Sequence, residues 1–199
     1  SYESGLLQSA LSSKRAELGI VYGRRRVGKS ALLAHFTKAH DLYFEGLQVG
    51  GQAQQITHFV EELARQTRTV PVRANSWKDA LTALTPFITQ GRRYVVFDEF
   101  PWMAGERAEL VSLLKFFWDQ HWKKNSGLTL VLCGSIAQFM VQHLVHSNAL
   151  HNRKTFEIKL EPLPSHEARG FFKGLRSRHE MARFLMLFGG VPKYLEQLD

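Results

Sequence analysis

A loop that could bind phosphate lies near the start of the chain. Residues 23–30 read GRRRVGKS and match the pattern G-x-x-x-x-G-K-[ST] in full. In such a loop backbone N–H groups surround the phosphates, the lysine reaches the β- and γ-phosphates, and the hydroxyl holds Mg²⁺. We therefore predict a phosphate-binding role for Lys29 and a metal-binding role for Ser30. A coincidental Gly/Lys turn is the alternative interpretation.

The expected phosphate contacts extend over the loop and the residue after it. They are Gly23, Arg24, Arg25, Arg26, Val27, Gly28, Lys29, Ser30 and Ala31. Backbone atoms hold the phosphates in loops of this type, so the three arginine side chains are not needed for the cradle. We expect these arginines to pair with acids elsewhere in the protein, or to face a neighbouring subunit or partner.

Two adjacent carboxylates end an apolar stretch, YVVFDEF, at residues 94–100. Asp98 is expected to bind the water shell of Mg²⁺, and Glu99 to polarise an attacking water as general base. Small-molecule kinases often lack the second acid, so the pair favours water as the nucleophile. Two solvated carboxylates at the end of a strand are the alternative.

A serine follows the next apolar stretch, LTLVLCGS, at residues 128–135. If this strand lies between the strands that carry the loop and the carboxylates, Ser135 faces the γ-phosphate and could sense hydrolysis. Ser135 could instead cap the helix that follows, and the two roles are compatible.

Short apolar runs alternate with helical spacing along most of the chain. Strands are predicted at 18–23, 42–46, 94–100, 128–135 and 156–160, and helices from residue 29, over 56–67, over 77–87 with Ser76 as N-cap, over 110–117 and after residue 135. This alternation indicates βαβ units in a parallel sheet, whose ligands bind at the carboxyl ends of the strands. Residues 165–199 show only short helices, interrupted by GGVP at 189–192. We divide the chain into a core over 1–160 and a helical lid that begins at 161.

Composition limits the kinds of partner. The 199 residues are 44% hydrophobic and carry a formal net charge of +8, which favours nucleotide, nucleic acid or another anionic partner. One cysteine, Cys133, lies in an apolar run, which predicts a buried thiol and a reducing, cytoplasmic setting. No window approaches the ~18 apolar residues of a membrane helix, so no membrane partner is expected. The chain lacks a signal sequence and an initiator Met, and we expect it to be trimmed.

Five stretches together resemble the archaeal-type ATPase family, a prokaryotic branch of the P-loop ATPases related to the AAA+ and STAND ATPases. They are VYGRRRVGKS (21–30), FDEFPW (97–102), LCGS (132–135), EPLP (161–164) and GGVPKYL (189–195). The arginine-filled loop and the late GGVP are the most specific of these features.

The resemblance implies an α/β fold with a five-stranded parallel sheet of order 5-1-4-3-2, flanked by helices, with a small C-terminal helical lid. It implies ATP with Mg²⁺ as the ligands. GGVP is similar to a Gly-x-Pro element whose proline packs near adenine, so Pro192 is a candidate base contact, and we expect adenine against residues 189–192. An ordinary Gly-Pro helix break is the alternative. Members often continue into further domains, and we expect this chain to be one module of a longer protein.

Two stretches depart from the family pattern. The N-terminal YESGLLQSAL (2–11) lacks the usual Arg-Glu pair, which leaves contacts on the adenine side open. The stretch HNRKT (151–155) retains Arg153 where the family has a Tyr-Gly-Arg-Arg-Thr-like sequence. Arg153 is therefore a candidate arginine sensor or finger, acting in its own site or in a neighbour's. A basic surface turn is the alternative.

Three functions are compatible with these features. The first is an ATPase that couples Mg-ATP hydrolysis to conformational change, alone or in a homo-oligomer. The second is a slow ATP/ADP-dependent switch whose output is an interaction with a partner protein. The third is a DNA-associated ATPase, which the net charge suggests, although no zinc spacing or other recognition module is visible.

Overall fold

A computed structural model describes residues 2–105, 109–146, 150, 152–168, 177–188 and 190–195. Within these residues no helix combines the length and the apolar character needed to cross a membrane. The described residues form a parallel sheet, helices on its two faces, and further helices that follow it.

The strands form one five-stranded sheet in which every neighbouring pair is parallel. The strands are β1 (Glu17–Gly23), β2 (Leu42–Glu45), β3 (Arg93–Asp98), β4 (Leu128–Gly134) and β5 (Phe156–Leu160). Their order is β2-β3-β4-β1-β5, which confirms the predicted order 5-1-4-3-2. The carboxyl ends of all five strands therefore lie at one edge of the sheet.

Helices connect the strands and continue after the last one. They are α1 (Tyr2–Leu11), α2 (Lys29–Phe36), α3 (Gln52–Thr67), α4 (Trp77–Ile88), α5 (Phe100–Ala104), α6 (Glu109–Gln120), α7 (Ala137–Met140), α8 (Ser165–Ala168), α9 (Arg178–Phe188) and α10 (Pro192–Leu195), with a 3₁₀ turn at Trp122–Lys124 and a π-helical turn at Val141–Val145. Ser76 caps α4 as predicted, since its hydroxyl accepts a hydrogen bond from the Asp79 N–H at 3.2 Å.

The sheet is buried on both faces because its strands alternate between two hydrophobic clusters. Ile20, Phe97 and Leu130 pack on the face covered by α3, α4 and α6. Val21 and Val131 point to the opposite face, which α1 and α2 cover. Each fully buried side chain of this size stabilises the fold by roughly 1.5–3 kcal/mol. The two layers hold the strand ends, and the loops that follow them, in fixed positions.

The third strand ends earlier than the sequence predicts. The apolar stretch 94–100 predicts a strand through both carboxylates, but β3 ends at Asp98. Glu99 adopts a left-handed backbone with φ 47°, which no extended strand can contain, and α5 begins at Phe100 with Pro101 in its first turn. The prediction that Glu99 belongs to the strand is therefore wrong.

The segment after β5 folds back toward the phosphate loop. Among the described residues beyond 160, only helices and connecting residues occur. The Leu163 N–H donates to the Gly190 carbonyl at 2.7 Å, so the EPLP and GGVP stretches are in contact. Gly189 lies outside the described residues. The division into a core and a separate lid stays a prediction.

The thiol of Cys133 lies within the sheet and should be unreactive. It is fully buried on β4, and burial, followed by the nearby Asp98 carboxylate, raises the pKa of the thiol well above its usual range. We expect a thiol reagent at pH 8 to modify the folded protein at less than about 1% of the rate seen in denaturant, because reaction requires opening of the core. Modification can be followed by absorbance. Rapid labelling of the folded protein would show that β4 is accessible.

Candidate functional site

The loop between β1 and α2 has the backbone shape of an anion cradle. Arg26 and Gly28 adopt left-handed conformations, with φ of 67° and 98°. Alternation of left- and right-handed residues turns successive N–H groups toward one point, which makes a concavity for an anion. The buried side chain of Val27 anchors the loop between these two residues. Gly28 is favoured here because a Cβ is strained at that φ.

Lys29 lies inside the curve of this loop. Its side chain is buried, and its ammonium donates hydrogen bonds to the carbonyls of Gly23 at 3.1 Å and Arg24 at 2.9 Å. A buried ammonium is favourable only when it is paired or hydrogen-bonded. These bonds therefore hold a positive charge within the cradle.

The Ser30 hydroxyl and the Asp98 carboxylate are in direct contact. Ser30 Oγ donates to Asp98 Oδ2 at 2.7 Å, and the hydroxyl of Tyr43 donates to the same oxygen. The other oxygen, Oδ1, accepts from the Glu99 N–H at 2.9 Å. Burial and the Asp98 charge raise the pKa of Tyr43, so its hydroxyl stays protonated and remains a donor. The structure thus brings together the two residues that the sequence predicts as metal-binding.

These two side chains fit a magnesium ion. Both offer oxygen, which Mg²⁺ prefers, and Mg²⁺ usually takes only one or two protein carboxylates and completes its shell with water and substrate phosphates. The part of the chain that the structure describes contains no group of three or more His, Cys, Asp or Glu arranged for a metal. A site built from Ser30 and Asp98 accordingly suits a metal that arrives with a phosphate ligand.

Glu99 and Ser135 form a second pair at the same edge of the sheet. Glu99 Oε2 accepts from Ser135 Oγ at 2.8 Å and from the Ser135 N–H at 3.3 Å. β4 lies between β1 and β3, as the sensing role of Ser135 requires. The alternative role as N-cap is wrong, because the cap of α7 is Ile136 and that helix begins at Ala137. The left-handed backbone of Glu99 stores roughly 1–3 kcal/mol of strain, which is typical of functional sites.

An open cleft of about 550 Å³ lies beside the loop. Its lining consists of Arg25, Arg26, Gly28, Lys29, Ser30, Ala31, Glu99, Trp102, Pro192 and Lys193. The cleft therefore joins the cradle, the second carboxylate and the predicted base contact. Sequence reasoning missed Trp102 and Lys193 as lining residues. The signal that could have found them was their place within the family-like stretches FDEFPW and GGVPKYL.

Two of the three loop arginines contact aromatic rings rather than acids. The guanidinium of Arg25 lies over the ring of Trp102 at 5.4 Å, and that of Arg26 over the ring of Tyr194 at 5.1 Å. Within the described residues no ion pair involves Arg24, Arg25 or Arg26, so the expected acidic partners inside the chain are not found. The Arg26 stack connects the loop to α10.

Arg153 lies away from this site. The Thr155 N–H donates to the Leu18 carbonyl at 2.8 Å, which places the turn at the amino end of β1. The guanidinium of Arg153 pairs with Asp119, with a closest N–O distance of 2.6 Å. Gly23 lies five residue steps along β1 from Leu18, which is about 17 Å. The prediction that Arg153 reaches the γ-phosphate of its own site is therefore wrong, and a role in a neighbour's site stays a prediction.

Comparison with known proteins identifies the family. Residues 5–198 match the family described as an ATPase domain predominantly from Archaea. The chain belongs to this family. The assignment of this archaeal-type ATPase domain confirms the resemblance carried by the loop and the late GGVP.

Relatives of this ATPase domain are longer proteins. The chain is 27% identical over 194 residues to the uncharacterized protein MJECL04 of Methanocaldococcus jannaschii, matching 96% of this chain and 42% of that protein. The Walker-type ATPase PABY2304 of Pyrococcus abyssi is 19% identical with a TM-score of 0.67, covering 98% of this chain and 64% of that one. The Aeropyrum pernix ORC1 protein, solved in complex with DNA, is 15% identical with a TM-score of 0.64, covering 98% and 56%. These structures share the fold.

The contact between Gly190 and Leu163 gives a test of the Pro192 side of the cleft. A Cβ at Gly190 would lie 1.7 Å from the Leu163 carbonyl oxygen. Gly190→Ala should therefore lower the free energy of unfolding by roughly 1–3 kcal/mol through overpacking, measured by urea denaturation. Gly5→Ala is the matched control, because a Cβ there meets nothing within 4 Å. Equal stability of the Gly190 variant and the wild type would contradict this packing.

Proposed function

We propose that this domain binds Mg-ATP in the cleft beside residues 23–31 and hydrolyses its β–γ phosphoanhydride bond. The observation that carries the proposal is the convergence of two hydrogen-bonded pairs, Ser30–Asp98 and Glu99–Ser135, next to the lysine-bearing loop. A metal-binding pair and a carboxylate able to activate water are the two components that phosphoanhydride hydrolysis needs beside a phosphate cradle.

The phosphates are bound by charge and by backbone donors. The ammonium of Lys29 exchanges its loop carbonyl partners for phosphate oxygens, and the N–H groups of the loop and of the first turn of α2 donate to the same oxygens. Ser30 and Asp98 would hold Mg²⁺, which when bound neutralises charge on the β- and γ-phosphate oxygens. Both binding elements are tied to the sheet, so they are held in position before the ligand arrives.

The nucleoside end of ATP is assigned to the other side of the cleft. Pro192 and Trp102 line the same cavity as the loop, which supports the expectation that adenine packs against the residues around 192. A flat apolar surface and an indole ring are suited to stack on a base.

Hydrolysis uses Glu99 as the base. Its carboxylate takes a proton from water as the water oxygen forms a bond to the γ-phosphorus, and the bond from that phosphorus to the bridging oxygen breaks. The products are ADP and inorganic phosphate. Ser135 orients the carboxylate through the bonds from its hydroxyl and its backbone N–H.

The conformational change driven by the nucleotide reaches the C-terminal helices through the residues around Pro192. The Arg26–Tyr194 stack joins the loop to α10, and Lys193 lines the cleft directly. Phosphate binding that shifts Arg26 changes this stack, which is worth about 0.5–1 kcal/mol or more when desolvated. The helices after β5 are thereby coupled to the state of the nucleotide.

A slow-turnover switch is the second candidate, and one observation favours it. The Glu99 carboxylate oxygen Oε2 is already occupied by two donors of Ser135. If the carboxylate stays in this arrangement, Oε2 is not open to accept a proton from water, and hydrolysis slows. Steady-state hydrolysis of ATP by the wild-type chain separates the candidates, since a switch retains nucleotide with little turnover.

Lys29→Ala tests the binding half of the proposal. Removal of the buried ammonium leaves the phosphate charge unpaired, so the Kd for a fluorescent ATP analogue should rise at least about 100-fold. Lys78→Ala, at an exposed position on α4, is the matched control and should bind like the wild type. Titration followed by anisotropy gives both constants. Wild-type affinity in the Lys29 variant would show that the loop does not bind ATP.

Glu99→Gln tests the hydrolytic half. The amide keeps the size of the side chain but cannot accept the proton, so kcat should fall ~10²–10⁴-fold while analogue binding stays within about threefold of the wild type. Glu61→Gln on the exposed face of α3 is the control. Phosphate release measures kcat. Parallel loss of binding and turnover would mean that Glu99 is structural or a metal ligand, and an undetectable wild-type rate would select the switch.

A further inference from the structure

Basic residues precede every strand of the sheet. They are Lys14 and Arg15 before β1, Lys38 and His40 before β2, Arg92 and Arg93 at the start of β3, Lys123 and Lys124 before β4, and Arg153 and Lys154 before β5. In a parallel sheet the segments that precede the strands meet at one edge. We call this edge, comprising residues 12–17, 38–41, 90–93, 119–127 and 152–157, the amino edge.

The strand register confirms that these segments lie side by side. Glu17 pairs with Thr129, Arg93 with Leu128, and Gly19 with Phe156. The first residues of these strands are thus level to within about three residues, or roughly 10 Å. The five basic segments consequently lie together at the amino edge. The nucleotide cleft lies at the other end of the strands.

Most of the excess positive charge of the chain lies at the amino edge. The amino edge contains nine lysines and arginines against four carboxylates, which leaves five of the eight net positive charges of the chain. The opposite edge is nearly balanced. The loop cations Arg24, Arg25, Arg26 and Lys29 equal in number the carboxylates at or after the strand ends, Glu45, Asp98, Glu99 and Glu161, and Lys193 adds one cation to the cleft. The positive charge is therefore separated from the site assigned to ATP.

The amino edge is concave rather than flat. A cleft of about 620 Å³ is lined by Lys123, Lys124 and Arg153, and it shares Arg15 and Thr155 with a second cleft of about 560 Å³. The second cleft shares Ser12 with a third, of about 140 Å³, which Lys38, His40, Arg92 and Arg93 line. The three clefts are contiguous and follow the edge from β5 toward β2.

Several of the cations at the amino edge are available to bind a partner. The pairs Arg15–Glu17, Arg153–Asp119 and Lys154–Glu157 neutralise part of the charge. In contrast, Lys14, Lys38, Arg92 and Lys124 are exposed, and among the described residues none of the four makes an ion pair. Their charge is open to an external anion.

We propose that the amino edge binds the phosphodiester backbone of a nucleic acid. A contiguous, positively charged groove suits a narrow chain of regularly spaced phosphates, and exposed lysines and arginines are the residues that bind it. A membrane surface is flat and takes exposed apolar side chains. None of the large exposed hydrophobic residues of the described chain, such as Val49, Phe116 or Met186, belongs to an amino-edge segment. Phosphate contacts of this kind carry no base specificity.

The proposed surface and the nucleotide cleft can be occupied together. The seven residues of β1 separate the two edges by about 23 Å. A nucleic acid at the amino edge therefore leaves the cleft open, and its binding does not depend on ATP hydrolysis.

The test compares two variants with the same net charge. K14Q/K38Q/R92Q/K124Q removes four cations of the amino edge, and R73Q/K78Q/K115Q/K159Q removes four exposed cations elsewhere. Anisotropy measures binding of a labelled 30-bp DNA duplex without nucleotide, at several salt concentrations from about 50 to 200 mM. The amino-edge variant should bind the duplex at least about tenfold more weakly than the control variant. The slope of log K against log salt concentration should also be smaller in magnitude by about 3–4.

Binding of further ligands shows which nucleic acid the amino edge prefers and whether another class of anionic partner binds more tightly. Single-stranded DNA and duplex RNA of the same length show which nucleic acid binds best, and preference for any of them supports the proposal. Circular dichroism confirms folding, and the four single substitutions should each reduce the salt slope by about 1. The proposal is overturned by equal losses in the two quadruple variants, by absence of nucleic-acid binding at the lowest salt, or by tighter binding to phosphatidylserine vesicles or polyglutamate.

Discussion

The carboxylate of Asp98 is the group on which the candidate site depends. It is only 2% exposed, and burying such a charge is unfavourable unless donors surround it. Three donors do so: the Ser30 hydroxyl from α2, the Tyr43 hydroxyl from β2 and the Glu99 N–H at the end of its own strand. Because these donors come from separate parts of the chain, the phosphate loop, β2 and β3 must be in register before the carboxylate is satisfied. The Ser30–Asp98 pair, which is the candidate metal site, thus forms only when the sheet assembles.

Parallel topology separates the chemistry of the domain into two edges. At the carboxyl edge, the loops that follow β1, β3 and β4 bring Lys29, Glu99 and Ser135 together around one cleft. At the amino edge, the segments that precede the strands collect most of the excess positive charge. A single buried sheet, covered on both faces, holds these surfaces about 20 Å apart. The proposed nucleotide chemistry and the proposed nucleic-acid binding therefore use separate surfaces of the same core.

Two residues beside the cleft, Arg26 and Glu99, combine a left-handed backbone with a specific side-chain contact. Arg26 and Glu99 both have left-handed backbones, which cost non-glycine residues free energy that the surrounding structure must offset. Arg26 stacks on Tyr194, and the strained Glu99 accepts a hydrogen bond from Ser135. Both strained residues thus have side-chain contacts that a bound phosphate would change. In the proposed function, this arrangement would couple a bound nucleotide to the C-terminal helices.

The sequence by itself determined the motif at 23–30 and the approximate strands, because each depends on local spacing. It also predicted Asp98, Glu99 and Ser135 as site residues from their places at strand ends, and the role of Ser135 depended on a strand order that local spacing does not give. The strand order came from a family resemblance, and the structure confirms it. Only the tertiary structure decided the place of Tyr43, which depends on the register of β2 against β3. It also decided that Glu99 leaves the strand in a left-handed turn, which neighbouring apolar residues do not reveal.

The arginines show the same division. Their number in the loop is visible in the sequence, but their partners, Trp102 and Tyr194, come from elements that only packing brings near. Arg153 is close to a strand in sequence, yet it lies at the wrong end of that strand for its own phosphate loop. The basic residues before each strand are likewise far apart in the sequence, and only the parallel sheet brings them to one edge. Local patterns encode which residues each segment carries, whereas long-range pairing decides which segments share an edge.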